Sequence, residues 1–387
     1  MTLVYSVFQK SCCYPYLAFT SSPAFKHVAM KKIWIWLTMI TLTSQLCAQQ
    51  PAKPAMVYTD GFDLNLIGQA FPLKHSYHRI DTTLYPGFPL AIKRLLTHSA
   101  GLVISFKTNS ARIAAKWCVT DAKPGNNMTP IMNKGLDLYI KRDGVWEFAG
   151  VGRPDGDCNE YTLVQHMDGS DKECLLYLPL YDKVKSLSIG IDDGCQIVAG
   201  ENPFAKKKVV LYGSSITQGA SASRPGMAYP ARLSRETGIN FINLGLSGNG
   251  KMEKVVADMV ATIRADAFVL DCFANPSPEE ITQRTAYMVK AIRKAHPAVP
   301  IILIETGLRE SGNFDSVISQ VVRLKNENTR IEFEKLKKEG VQNVYLVQGD
   351  KLLGKDHEAT TDGVHPNDLG FDRMLQVIKP AMMKILR

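Results

Sequence analysis

The chain has 387 residues, 45% of them hydrophobic and 21% charged, with a formal net charge of +9. This is the balance of an ordinary globular protein long enough for two domains, and it excludes a chain too polar to bury a core. The positive charge is dispersed, with Lys206-Lys207-Lys208 the only tight run, directly before an apolar strand, which argues against a nucleic-acid partner. In chain order, Met30-Lys31-Lys32, the apolar run 33–42 and the stretch Ser44 to Ala48 form the pattern of a secretory signal peptide over 30–48. The apolar run falls short of the roughly 20 residues that span a bilayer. No stable membrane anchor is expected, and the mature protein is read as periplasmic or secreted. Residues 1–29 read as an upstream extension from a mis-assigned start. Loss of 1–48 removes four lysines and no acidic residue, leaving +5. Five of the eight cysteines then remain, Cys118, Cys158, Cys174, Cys195 and Cys272. An odd, irregular set argues against a disulfide framework but leaves room for one or two bridges in the N-terminal half.

From about 57 to 198 the sequence predicts short β segments punctuated by turns, over 102–106, 111–119, 136–141, 145–148, 175–178 and 186–191. Asp143-Gly144 between two of them is a strong hairpin signal. This half is expected to be an antiparallel β-sandwich of jelly-roll type over 55–203. From 206 to 387 the texture changes. Nearly continuous apolar runs at 209–212, 241–244, 267–271, 301–305 and 344–347 suit parallel strands buried on both faces. Helical stretches at 229–237, 252–264, 279–296, 314–338 and 369–386 alternate with them. The expectation is a doubly wound α/β/α layer, whose ligands bind beyond the C-terminal strand ends.

Four features fall on that edge. Ser215 follows the first strand in Gly213-Ser214-Ser215-Ile216-Thr217, where a turn into a helix lifts a hydroxyl above the sheet. A capping serine is the alternative; a phosphate loop is excluded because no Gly-Lys-Ser or Gly-Lys-Thr pair follows. Ser247-Gly248-Asn249-Gly250 follows the second strand, and Asn275 the third. Gly248 offers a bare N–H and Asn275 a side-chain amide, the donors an oxyanion needs; a flexible turn and a helix cap are the competing roles. Asp362 and His365, in Thr361-Asp362-Gly363-Val364-His365-Pro366, supply a base and the carboxylate that orients it. His357 is the nearest competing histidine. His75 and His78 form a close pair with no further ligand pattern behind them.

Taken in order, these blocks resemble the SGNH (GDSL-type) hydrolase superfamily over roughly 206–387. The resemblance implies a flavodoxin-like α/β/α hydrolase domain with a five-stranded parallel sheet. It also implies Ser215 as nucleophile, Asp362 and His365 completing a triad, and Ser215, Gly248 and Asn275 forming the oxyanion site, without metal or organic cofactor. Two blocks depart from the pattern: Ser214 stands where Asp is usual, and Cys272-Phe273-Ala274-Asn275-Pro276 replaces Gly-x-Asn-Asp. Gly135-Leu136-Asp137-Leu138-Tyr139 is similar to the Gly-x-Asp-Leu-Tyr signature of a β-sandwich that precedes exported bacterial SGNH domains. The expected activity is removal of small acyl groups, acetyl above all, from a carbohydrate. A lipase, thioesterase or lysophospholipase, and a non-catalytic glycan-binding protein, are the alternatives. Arg224, Met227 and Tyr229 are candidates to line the cleft.

Overall fold

A computed structural model describes residues 55–120 and 123–386; the signal peptide and upstream extension read from the sequence lie outside them. The N-terminal half contributes β1 (Met56–Asp60), β2 (Asn65–Ile67), α1 (Leu90–Thr97), β3 (Val103–Thr108), β4 (Ile113–Cys118), α2 (Pro130–Lys134), β5 (Leu136–Arg142), β6 (Val145–Gly152), β7 (Cys158–Val164), β8 (Lys172–Tyr177), β9 (Ser186–Asp192) and β10 (Ile197–Ala199). These strands form two antiparallel sheets, ordered β1-β9-β4-β7 and β10-β3-β8-β5-β6, with β2 also on β3. Successive strand residues point to opposite faces. The inward ones, Ile113, Ala115 and Trp117 of β4 and Leu187 and Ile189 of β9, meet Ile104 and Phe106 of β3 and Leu136 and Leu138 of β5 in one cluster. The hairpin read from Asp143-Gly144 is present. Arg142 pairs with Val145, and both turn residues have positive φ, 50° and 80°, as a two-residue hairpin turn requires. A disulfide joins Cys118 to Cys158, and Cys174, Cys195 and Cys272 are free thiols.

The C-terminal half runs β11 (Lys208–Gly213), α3 (Ser215–Gln218), α4 (Tyr229–Thr237), β12 (Asn240–Gly245), α5 (Lys254–Ala261), β13 (Ala267–Asp271), α6 (Pro278–Ala295), β14 (Ile301–Ile304), α7 (Ser316–Lys338), β15 (Val344–Val347) and α8 (Asp368–Ile385). Its sheet is fully parallel in the order β12-β11-β13-β14-β15. All five strands read from the apolar runs are found. The chain moves from β11 outward to β12 and then back across to β13. The switch point therefore lies at β11, whose C-terminal end leads into Ser215. No helix among the described residues is long and apolar enough to cross a membrane.

Several short elements, β1, β2, β7, β10, α1 and α2, carry no distinct sequence pattern. Helix α1 lies in the β-rich half, yet Ile92, Leu95 and Leu96 pack with Val210, Tyr212, Ile242 and Leu244 on a face of the parallel sheet, beside α5 and α6. An eight-residue helix carries too few turns for its period to stand out, and periodicity does not tell which sheet a helix covers. Arg79 fastens this contact. Fully buried, it donates to the carbonyls of Leu95 and His98 at the end of α1 and to those of Asn243 and Gly245 at the end of β12. The negative end of a helix dipole suits a cation, but burial still lowers the guanidinium to about 9.

The Gly-x-Asp-Leu-Tyr segment also joins the halves. A Cβ on Gly135 would stand 2.5 Å from the carbonyl oxygen of Gly152 and 2.6 Å from that of Ile131, so only glycine fits. Asp137, fully buried, accepts from Arg224 at 2.8 and 3.0 Å and from the Gly226 N–H at 2.8 Å. Arg224 also donates to the Tyr139 hydroxyl. The motif thus holds the segment that follows the Ser215 loop.

Candidate active site

Ser214 and Ser215 have separate roles in the turn after β11. Ser214 caps α3, its Oγ accepting from the Ile216 N–H, the usual work of a serine at that position. Ser215 begins the helix, and its Oγ lies 2.9 Å from His365 Nε2. Its backbone N–H has no protein partner among the described residues, as expected at a first helical turn. The carbonyl of Ser215 accepts from Tyr181 Oη and from the Gly219 and Ala220 N–H groups, which fixes the turn from behind.

His365 and Asp362 come from the loop before α8. Asp362 Oδ2 is 2.7 Å from His365 Nδ1, while Oδ1 accepts from the backbone N–H groups of Val364 and His365. Partial burial pushes this carboxyl up, but the bonds from His365 and Val364 outweigh it and hold the group below its ordinary value. An ionised Asp362 requires the proton on Nδ1. Nε2 is then a bare acceptor facing the serine hydroxyl. His357, the competing histidine, instead pairs with Glu310 and Asn313.

A third partner was not foreseen. Asn127, from the loop before α2, donates through Nδ2 to Asp362 Oδ2 at 2.9 Å. The same nitrogen is 3.0 Å from His365 Nδ1; with Nδ1 protonated this is a contact between two donors, and the bond belongs to Asp362. Ser221 Oγ donates to the Asn127 carbonyl, and Thr129 Oγ1 to that of Ser223, so this loop is clamped on the segment after the serine. A lone Asn in a polar turn carries no signal that would have found it.

The loop after β12 reaches the same edge. Gly248 is exposed with φ of +69°, a conformation that favours glycine, and its N–H is unbonded among the described residues. Asn275 is not a helix cap, because Ser277 caps α6 with Glu280 completing a capping box. Its Oδ1 accepts from the Gly250 N–H at 3.1 Å, which fixes the amide plane and leaves the NH2 as a donor. The preceding carbonyl, of Ala274, accepts from Lys325 Nζ at 2.8 Å. Lys325 is buried and has no carboxylate partner among the described residues; desolvation, with Arg309 nearby, lowers its amine to about 8.

Asp271, the last residue of β13, is a buried carboxyl pushed up to about 6 by desolvation, although Tyr229 Oη at 2.6 Å and Thr217 Oγ1 at 2.8 Å donate to it. Tyr229 is therefore a buried support, not a cleft residue as expected. Arg224 and Met227 line a cavity of about 920 Å³, which includes none of Ser215, Gly248, Asn275, Asp362 or His365. Two other spaces touch the site. A small, partly open one of about 20 Å³ lies among Ile216, Ala274, Val364 and Pro366, the neighbours of Ser215, Asn275 and His365. An open cleft of about 530 Å³ is walled by Ser247, Met128 and Tyr181. No group of three or more His, Cys, Asp or Glu suited to a metal occurs among the described residues.

A parallel α/β sheet with a serine, an imidazole and a carboxylate in series at its switch point is an arrangement suited to ester hydrolysis. Comparison with known proteins agrees. The profile of the GDSL-like lipase/acylhydrolase family matches residues 206–383, and that of the GxDLY N-terminus of SGNH-hydrolase-type esterases matches 56–197. The crystal structure of a candidate GDSL-like lipase from Bacteroides ovatus is 57% identical, covering 86% of this chain and 98% of its own, with a TM-score of 0.84. The salicylyl-acyltransferase SsfX3 of a tetracycline biosynthetic pathway is 22% identical over 87% and 96% of the two chains, with a TM-score of 0.63. A family two carbohydrate esterase from Cellvibrio japonicus is 12% identical over 86% and 98%, with a TM-score of 0.56. The last two share the fold. No curated protein matches the chain. The chain belongs to the GDSL-like lipase/acylhydrolase family and is a carboxylic ester hydrolase.

Proposed function

We propose that the protein is an exported serine esterase that removes small acyl groups, principally acetyl, from carbohydrate. Ser215 is the nucleophile in this reading, with His365 as base and Asp362 as its orienting carboxylate. The observation that carries it is the unbroken series Ser215 Oγ, His365 Nε2, His365 Nδ1, Asp362 Oδ2, at 2.9 and 2.7 Å. As Oγ attacks the acyl carbonyl, Nε2 takes its proton, and the imidazolium is balanced by Asp362. The oxyanion accepts from the Ser215 and Gly248 N–H groups and the Asn275 amide, each such donor contributing about 2.7–4 kcal/mol. The departing alcohol takes the proton from Nε2. A water then gives a proton to the same nitrogen as it attacks the acyl-serine, and Nε2 returns that proton to Ser215 Oγ as the acid leaves.

The size of the space beside the triad supports a small acyl group. A volume of about 20 Å³ is little more than one water-sized probe, which suits a methyl group better than an alkyl chain. That weighs against a lipase, thioesterase or lysophospholipase. The aligned series of serine, histidine and aspartate weighs against a purely glycan-binding protein. Carbohydrate as the alcohol component is supported by the open cleft of about 530 Å³ and by the fold shared with the carbohydrate esterase from Cellvibrio japonicus. Export is supported by the signal-peptide pattern of 30–48 and the Cys118–Cys158 disulfide, which belongs to an oxidising compartment. The two antiparallel sheets are read as a jelly-roll-type β-sandwich domain over 55–203 and the remainder as the hydrolase domain over 206–387. Acetate release from a panel of acetylated polysaccharides, with p-nitrophenyl esters from acetate to octanoate, tests the reading. Turnover should peak at acetate; a wild-type protein inert on all of them sinks it.

A further inference from the structure

The open cleft beside Ser247 carries three cations on its wall. Arg94 near the end of α1, Lys123 before the Asn127 loop and Lys183 after Tyr181 all line it. Among the described residues none of the three makes an ion pair or a side-chain hydrogen bond. The one carboxylate on this wall, Asp182, is 1% exposed and faces inward. Its Oδ1 accepts from Thr120 and from the Lys183 N–H, and Oδ2 lies 3.8 Å from Lys134. It therefore neutralises none of the three cations. In the cavity of about 920 Å³ most cations are paired, Arg224 with Asp137, Arg232 with Glu236 and Asp372, and Lys379 with Glu236, while Arg235 donates to the Gly226 carbonyl and lies over the Tyr139 ring.

This cleft is also bordered by residues next to the site. The small space beside Ile216 suits a methyl-sized group, whereas the Ser247 side of the cleft adjoins Gly248, and its Met128 side adjoins Asn127 at the triad. Unpaired cations around such a cleft raise the local concentration of an anion, and an arginine fork matches a carboxylate.

We propose that the cleft is a subsite for an anionic saccharide, a sugar chain bearing uronate carboxylates within a residue or two of the acylated position, held by Arg94, Lys183 and Lys123. The proposal rests on the carbohydrate esterase reading above and adds the class of its substrate. Calorimetric titration of the full mature chain with unacetylated oligogalacturonide, its methyl-esterified form and a sulfated neutral oligosaccharide tests it without requiring turnover. The carboxylate form should bind at least about tenfold more tightly than the methyl ester, an advantage that shrinks with added salt. Arg94→Gln with Lys183→Gln should abolish the preference while the melting temperature holds. Lys338→Gln with Lys384→Gln, the same charge change elsewhere, should preserve it. Equal binding of the carboxylate and methyl-ester forms, or a preference that survives in the first double variant, overturns the proposal. Binding of the sulfated chain alone overturns the assignment to carboxylate. Hydrolysis of p-nitrophenyl acetate by the same wild-type preparation reports separately on the esterase reading.

Discussion

Replacing Asn127 by alanine deletes the one side chain among the described N-terminal residues that donates to the Asp362 carboxylate, at 2.9 Å. A hydrogen bond to a charged group is worth about 1.5–3 kcal/mol. The Asp362 side chain is 34% exposed, so water restores part of the loss, and about 1–1.5 kcal/mol of transition-state stabilisation remains at stake. That corresponds to roughly a five- to twelvefold fall in kcat. KM should change little, because Asn127 faces the carboxylate and not the acyl group. The loop itself should persist, since its carbonyl still accepts from Ser221. Asn127→Asp is the sharper perturbation. Two carboxylates about 4 Å apart near a surface repel by about 4 kcal/mol, so that pair holds a shared proton and Asp362 ceases to balance the imidazolium. The loss should then be on the order of a hundredfold. Initial rates on p-nitrophenyl acetate, with melting temperatures to verify folding, provide the assay. If Asn127→Ala keeps kcat within twofold of wild type while melting normally, the reasoning that Asn127 positions the triad is wrong.

Three further outcomes are expected. Ser215→Ala should lose turnover by several orders of magnitude, whereas Ser214→Ala should lose about 1 kcal/mol of stability as a helix cap and keep most activity; the reverse would move the nucleophile. Lys325→Met should melt at a higher temperature, being relieved of a buried unpaired amine, yet turn over about tenfold more slowly as Ala274 and Asn275 lose their anchor; an unchanged kcat would leave Lys325 with a structural role alone. Asp271 has a folded pKa of about 6 against an ordinary 3.8. Its contribution is therefore fully present below 3.8, declines as pH rises, and is lost above about 6, amounting to about 3 kcal/mol. Asp271→Asn should remove this dependence, so its melting temperature relative to wild type should rise between pH 4 and pH 7.5. Parallel curves would refute it.

What the sequence revealed and what it hid follow a physical division. The strands of the parallel sheet are buried on both faces, so their apolar runs are unmistakable, and Ser215, Gly248 and Asn275 are found at their ends because the fold puts loops there. Asp362 and His365 share one short loop, and a spacing of three residues keeps them together whatever surrounds them. Asn127 reaches the same carboxylate from 235 positions away, through a contact that no local pattern records. Lys325 reads as one more charge on a long polar helix; only the tertiary structure shows it buried against Ala274. Tyr229 follows the Ser215 loop closely, which suggests a place in the cleft, but its hydroxyl turns inward to Asp271. Nearness in sequence fixed its neighbourhood and not its direction.

Arg79 bears on how such proteins can be recombined. Its guanidinium is satisfied by carbonyls from α1 and from β12 together, so neither half alone supplies enough acceptors to keep that charge out of water. A hydrolase half transplanted onto a foreign β-rich partner would leave the carbonyls of Asn243 and Gly245 without their donor, just upstream of Gly248. Chimeras between relatives should therefore work when the crossover carries both halves together, and fail when it falls at the apparent linker near 204.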